Sequence, residues 1–242
     1  MKTVNFSSKS IPKLAEVNWQ RLRKIEISDN GEELVSMSLI PEKIIVQPQY
    51  YMQGIKGALP DCYIRRENLN RIYRASKLLK PGYKFLIYDA WRPAEVQKII
   101  FEKYFNELKK EMPAEDDAEL QQLTSKFVSL PSENPENPSP HLTGGAVDLT
   151  IIDDKGKVLN MGTGFDETSD RAATRYYEEL SKLRKLSIEE EKILRNRRLL
   201  YHIMTEVGFV NYEAEWWHYD YGNQFWGSII GQDAKYGLIK LE

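Results

Sequence analysis

The sequence predicts an α+β fold from three observations. Helical periodicity and strand alternation both occur, but the helical runs are set between strands without a strict alternating order. The clearest strands cluster late, at "GAVDLTII" (145–152) and "EWWHYDY" (215–221). With 242 residues and 41% hydrophobic content, the chain can bury one sizeable core, and 1–242 reads as a single domain.

Up to about residue 60 the pattern is irregular, with short strands expected at "RKIEI" (23–27) and "KIIVQ" (43–47). From 63 to 80, Leu69, Ile72, Tyr73 and Leu79 recur at helical spacing until Pro81-Gly82 stops the run. "YKFLIYD" (83–89) is a strand, and Pro93 suits the first position of a helix over 93–112. An acidic helical stretch follows near 114–128, and the region from about 106 to 138 reads as an insertion. "PSENPENPSP" (131–140) holds four of the eleven prolines and forms an extended loop.

Alternation in "GAVDLTII" places Ala146, Asp148 and Thr150 on one face and Val147 and Leu149 on the other, so Asp148 projects away from the apolar side. "DDKG" (153–156) is a turn, from which "KVLNM" (157–161) is expected to return antiparallel. Ser187 and Glu190 form a capping box for a helix running to Gly208.

The bulk properties exclude several function classes. Formal net charge is −2 and no dense basic stretch exists; "RNRRLL" (195–200) reads as the solvated face of a helix, which leaves no nucleic-acid surface. No run of 18 apolar residues is present to span a membrane. The start "MKTVNFSSKSIPKLAEVNW" has no apolar core of a signal peptide, so a cytoplasmic location is expected. A chain whose export leader had been removed would read the same and would lie in the periplasm. The single cysteine, Cys62, rules out an internal disulfide framework and reads as a small buried hydrophobe.

Chemistry concentrates around two of the three histidines. In "SPHLTGGAVDLT", His141 precedes Asp148 by seven positions, and Gly144-Gly145 lets the backbone turn the histidine back toward the aspartate. Imidazole nitrogen and carboxylate oxygen both suit Zn²⁺, and a catalytic zinc takes three protein ligands and keeps one position open. His218 in "EAEWWHYD" supplies the third ligand, with Glu215 three residues before it. Zinc lowers the pKa of bound water to roughly 7, and a neighbouring carboxylate takes the proton and passes it to the leaving amine. In a flat strand, positions 215 and 218 point to opposite faces; a bulge or a strand end must bring them together.

Four motifs in order resemble the D-alanyl-D-alanine dipeptidases of the VanX type. "SPHLTGGAVD" is similar to their S-x-H-x-x-G-x-A-x-D motif and "EWWH" to E-x-W-H. "YDAWRP" (88–93) resembles the segment carrying their catalytic arginine, and "MGTGFDE" (161–167) one lining their substrate pocket. The resemblance implies one zinc held by His141, Asp148 and His218, with Glu215 as catalytic base. It implies that Arg92 stabilises the oxyanion, and that Ser139 and Asp166 contact a small dipeptide, Asp166 near its ammonium group. It also implies a small α+β zinc-peptidase core.

Asp166 equally suits a helix N-cap. Tyr50 and Tyr51 fall near the position of a pocket tyrosine in the family, and His202 matches no motif. Two neighbouring readings stay open: a D,D- or L,D-carboxypeptidase or endopeptidase acting on longer peptidoglycan stems, and a binding module that keeps zinc for structure. Within the dipeptidase reading, cell-wall recycling and removal of vancomycin's target precursor also remain open.

Overall fold

Every residue of Ala146–Ile152 is buried, and this strand is the middle of the main sheet. The computed structural model describes residues 5–14, 17–128 and 130–239. Its strands are β1 (Leu34–Ser36), β2 (Ile44–Val46), β3 (Tyr63–Arg65), β4 (Lys84–Asp89), β5 (Ala146–Ile152), β6 (Val210–Asn211) and β7 (His218–Asp220). Its helices are α1 (Trp19–Leu22), α2 (Gln49–Met52), α3 (Arg66–Ser76), α4 (Ala94–Glu111), α5 (Asp117–Phe127), α6 (Tyr176–Leu183), α7 (Ile188–Glu206) and α8 (Gln224–Ile230).

The five-stranded sheet has the order β2-β4-β5-β7-β6. The β2–β4 pair is parallel; β4–β5, β5–β7 and β7–β6 are antiparallel. β1 and β3 form a separate antiparallel pair. This mixed sheet with segregated helices is the expected α+β class. Ile72 and Ala75 of α3 and Leu200, Ile203 and Met204 of α7 join Phe85, Ile87, Val147, Leu149 and Ile151 in one apolar cluster. α7 starts at the expected capping box: the Ser187 hydroxyl accepts from Glu190 N–H and the Glu190 carboxylate accepts from Ser187 N–H.

Several expectations need correction. Residues 23–27 form no strand; only Ile27 makes an isolated bridge, to Ala234. The run at 63–80 opens as β3, because Tyr63–Arg65 pair with β1, and turns helical at Arg66. Pro93 is the N-cap of α4 and lies one residue outside it. "KVLNM" contributes one bridge, Val158 to Ile152, and no strand. The strand expected at 215–221 begins only at His218.

Both faces of β5 are covered, so Asp148 faces a walled cleft and is only 2% exposed. The arginine cluster on α7 is split: Arg195 is exposed, whereas Arg197 is 2% exposed and fully engaged by backbone carbonyls. His202 is a packed residue whose Nε2–H donates to Lys9 O and Ser10 O. Cys62 is buried, as expected.

Among the described residues no helix is long and apolar enough to cross a membrane. Residues 1–4, 15 and 16 of the N-terminal stretch read for a signal peptide lie outside the described residues. Residue 129 of the 106–138 region also lies outside them.

Candidate active site

The site begins with sheet register. Asp148 on β5 lies directly opposite His218 on β7, and Asp148 Oδ1 is 3.0 Å from His218 Nδ1. His141 arrives from a 3₁₀ turn (Pro140–Thr143) just before β5. Gly144 closes that turn at φ 67°, a left-handed conformation that side-chain-bearing residues rarely adopt. Gly145 then passes so close to the next strand that a Cβ would lie 2.8 Å from Tyr221 O. The double glycine therefore has two separate reasons, one dihedral and one steric.

His141 Nε2 comes to 3.2 Å from His218 Nδ1 and 3.4 Å from Asp148 Oδ2. One ligand atom from each of His141, Asp148 and His218 lies within 4.8 Å of the others. The remaining ring nitrogens are committed elsewhere. His141 Nδ1–H donates to Ala90 O at 2.5 Å, and His218 Nε2–H donates to Asp220 Oδ2 at 2.9 Å. Those bonds select the tautomers that turn His141 Nε2 and His218 Nδ1 toward one point, as an outer carboxylate or carbonyl does behind a metal-bound histidine.

Glu215 resolves the opposite-face problem by lying outside the strand. Glu215 N–H donates to Tyr212 O and His218 N–H to Glu215 O, a pair of turns that curls 212–218 before β7 begins. A strand end, not a bulge, brings the two side chains to one side: Glu215 Oε2 is 3.9 Å from His218 Nδ1. Burial, with Asp148 and Asp166 nearby, pushes the Glu215 carboxyl up to about 7.

Arg92 sits in the turn between β4 and α4, 8% exposed. Its Nε–H donates to Asp89 Oδ2 at 2.8 Å, Nη1 to Gln97 Oε1, and Nη2 to Asp148 Oδ2 at 3.3 Å. The guanidinium also lies 4.5 Å from the centre of the Tyr50 ring. Asp166 lines the same cleft from a loop and has φ 60°, the one positive φ outside glycine among the described residues. It caps no helix; Ser169 precedes the short turn that follows. Its carboxyl opens to the cleft but is crowded enough by protein, with Asp148 close by, to be pushed up to about 6.

Ser139 also lines the cleft, and its Oγ accepts the Ser132 N–H at 2.8 Å. The cleft measures about 1020 Å³, and α4, α5 and the proline loop form one wall through Ile100, Tyr104, Ser125 and Pro138.

The structure brings all seven expected residues to one cleft, where Tyr50, Gln97 and Asp220 also lie, and sets Asp89 against Arg92. Asp220 could have been found, because positions 218 and 220 share a strand face. Asp89 precedes Arg92 by three residues in the quoted "YDAWRP". Gln97 carries no local signal, whereas the resemblance alone places Tyr50 near the family's pocket tyrosine.

A divalent cation fits this donor set. Burial and Arg92 push His141 down to about 3, which keeps its imidazole neutral and able to ligate. Asp89 and Asp148 pair with the Arg92 guanidinium, while Asp148, Glu215 and Asp220 crowd His218, a density of carboxylates that a doubly charged ion offsets. Asp89 records the crowding: burial, with Asp148 close by, pushes its carboxyl up to about 7 despite Arg92.

Two histidines and an aspartate at the floor of a cleft, with a carboxylate beside them, define the class: a metallopeptidase. Residues 62–235 match the peptidase M15 family model, described as D-ala-D-ala dipeptidase, and the chain belongs to that family of zinc peptidases. It is 32% identical over 218 residues to a D-alanyl-D-alanine dipeptidase of Synechocystis sp., covering 84% of this chain and 87% of the relative. It is 28% identical over 179 residues to the D-alanyl-D-alanine dipeptidase of Escherichia coli, covering 74% and 72%. A crystal structure of the vancomycin-resistance D,D-pentapeptidase VanY with Zn(II) aligns at TM-score 0.41 and 18% identity, over 72% of this chain and 83% of that one. A likeness at that level adds nothing to the assignment.

Proposed function

We propose that the protein hydrolyses D-alanyl-D-alanine to D-alanine, with His141, Asp148 and His218 holding one zinc ion and Glu215 acting as general base. The observation that carries this is Glu215 beside the His–Asp–His cluster, with Asp166 and Arg92 in the same cleft. When bound, zinc supplies Lewis-acid chemistry, polarising the scissile carbonyl and making water a nucleophile near neutral pH. Glu215, whose Oε2 lies 3.9 Å from His218 Nδ1, takes the proton from the attacking water and returns it to the leaving amine.

Arg92 is locked by Asp89, Gln97 and Tyr50, so its guanidinium needs little reorganisation as the carbonyl oxygen gains charge. The substrate is a zwitterion, and Asp166 receives its ammonium end. With a carboxyl near 6, Asp166 is ionised at neutral pH and supplies the opposite charge. Ser139 accepts Ser132 N–H and keeps its own O–H to donate to the peptide. We read 1–242 as one domain, in which 106–138 is an insertion walling the cleft.

The test is kcat/KM for D-Ala-D-Ala beside its N-acetylated form. Loss of the ammonium leaves Asp166 without its partner and should cost on the order of a hundredfold. Equal or better cleavage of the acetylated compound would exclude the dipeptidase reading in favour of a carboxypeptidase. Chelation should abolish hydrolysis, and about one equivalent of zinc should restore it.

A further inference from the structure

Arg197 is among the largest fully buried side chains, yet among the described residues it pairs with no carboxylate. All its hydrogen bonds go to backbone carbonyls at the two ends of a single loop. Nε–H donates to Met161 O at 2.7 Å, Nη1 to Ala173 O at 2.5 Å and Nη2 to Arg171 O at 2.7 Å. The Tyr177 ring lies 5.0 Å from the guanidinium carbon. Burial pushes the arginine down to about 10, so it remains charged at neutral pH. A buried cation satisfied by carbonyl dipoles is costly unless every donor is placed, which ties the loop ends to the rigid α7.

The gripped loop carries the site. Between Met161 and Arg171 lies Asp166 in its left-handed conformation, which costs an aspartate free energy unless its surroundings impose it. Arg171 Nη2 closes the neck of the loop on Gly162 O at 3.2 Å. On the far side, Trp216 N–H donates to Ala172 O at 3.0 Å and Trp216 Nε1 to Thr163 Oγ1 at 2.7 Å. Trp216 adjoins Glu215, so one loop touches both the amine end of the cleft and the turn bearing the base.

We propose that Arg197 is a positioning residue for amine recognition: it touches no substrate, but by clamping residues 161, 171 and 173 it holds Asp166 at the ammonium position of the cleft. This rests on the reading of Asp166 as the ammonium partner. Selectivity for a free amino terminus is then set partly on α7, behind the loop that contacts the substrate.

Arg197→Lys keeps the charge but cannot reach three carbonyls at once. It should stay folded by circular dichroism, retain its zinc, and exchange the amides of 162–172 faster than wild type. Its KM for D-Ala-D-Ala should rise about tenfold, equivalent to one good hydrogen bond to a charged group, with a smaller change in kcat. The preference for the free over the N-acetylated dipeptide should shrink by a similar factor. Arg197→Gln, measured below its melting temperature, is the second variant and should show the same changes.

Asp166→Ala and Asp166→Ala/Arg197→Lys complete the cycle. If Arg197 acts through Asp166, the double variant shows the preference of Asp166→Ala alone. Unchanged preference and unchanged amide exchange in both Arg197 variants would overturn the positioning role, as would strictly additive effects in the double variant. If Asp166→Ala itself leaves the preference intact, the ammonium reading fails, and exchange in 162–172 still decides whether Arg197 holds the loop.

Discussion

Asp220 holds His218 from behind. Its Oδ2 receives the Nε2–H at 2.9 Å, while Asn223 Nδ2 donates to Oδ1, so the 1%-exposed carboxylate has no freedom to approach a substrate. This makes Asp220 an orienting group and a poor substitute for Glu215 as base. Asp220→Asn should leave the fold intact and weaken zinc binding by about 10- to 100-fold, measured by competition with a chelating dye. Unchanged affinity would remove the orienting role.

Glu215→Gln preserves shape and removes the proton acceptor. Zinc content should remain near one per chain while turnover falls by at least about a hundredfold. His218→Ala should instead lose the metal. Measuring both quantities in both variants separates base from ligand, and near-full activity in Glu215→Gln would move proton transfer to another group.

Gly145→Ala tests the steric half of the double-glycine turn. The new methyl would press on Tyr221 O at 2.8 Å and Thr143 Oγ1 at 2.9 Å, and the backbone has little room to yield. A loss of about 1–3 kcal/mol is expected from such overpacking. Because the position lies between His141 and Asp148, zinc affinity should fall together with Tm. Denaturant melts with and without zinc would detect a change in only one of them.

Acid should release the N-terminal segment before the core. Glu178 accepts Ile11 N–H at 2.8 Å and two Arg198 donors at 2.7 Å; burial opposes its charge, but these bonds prevail and hold it below its usual 4.5. His202 is lowered from 6.5 by burial, against its bonds to Lys9 O and Ser10 O. Both folded pKa values lie below the unfolded ones, so both contributions are complete above the unfolded pKa and fade as pH falls. The His202 part declines from about pH 6.5 and the Glu178 part below about 4.5. Amide protection factors in residues 5–14, corrected for the intrinsic exchange rate, should therefore fall between pH 7 and 4 ahead of those in β5, and Glu178→Gln should remove the lower step.

The His–Asp–His cluster proposed to hold zinc was legible because its chemistry is rare in this chain and compact in sequence. His141 and Asp148 lie within one turn and strand, and His218 follows a carboxylate at a spacing that a strand end can accommodate. Alternation located β5 and the capping box located α7 for the same reason: each depends on neighbours a few residues apart. What escaped depends on distant pairing. Residues 23–27 have strand composition, but only Ile27 finds a partner, and Tyr63–Arg65 are extended only because β1 lies beside them. Arg197 looked like solvent-facing charge because its three acceptors lie 24 to 36 residues away and are backbone groups, which no side-chain pattern reveals.

The register between Asp148 and His218 joins positions 70 residues apart, and it also sets an order of events in the life of the chain. As the polypeptide is synthesised, His141 and Asp148 emerge with only two of the three donors. The third arrives 70 positions after Asp148, beyond α7, and only pairing of β7 with β5 brings it into place. With these three side chains holding the ion as proposed, its capture belongs to the assembled sheet and not to the nascent chain. A polypeptide released before β7 would carry an incomplete cup that no supply of metal could repair, whereas one that includes β7 and is stripped of its ion should need only the ion back.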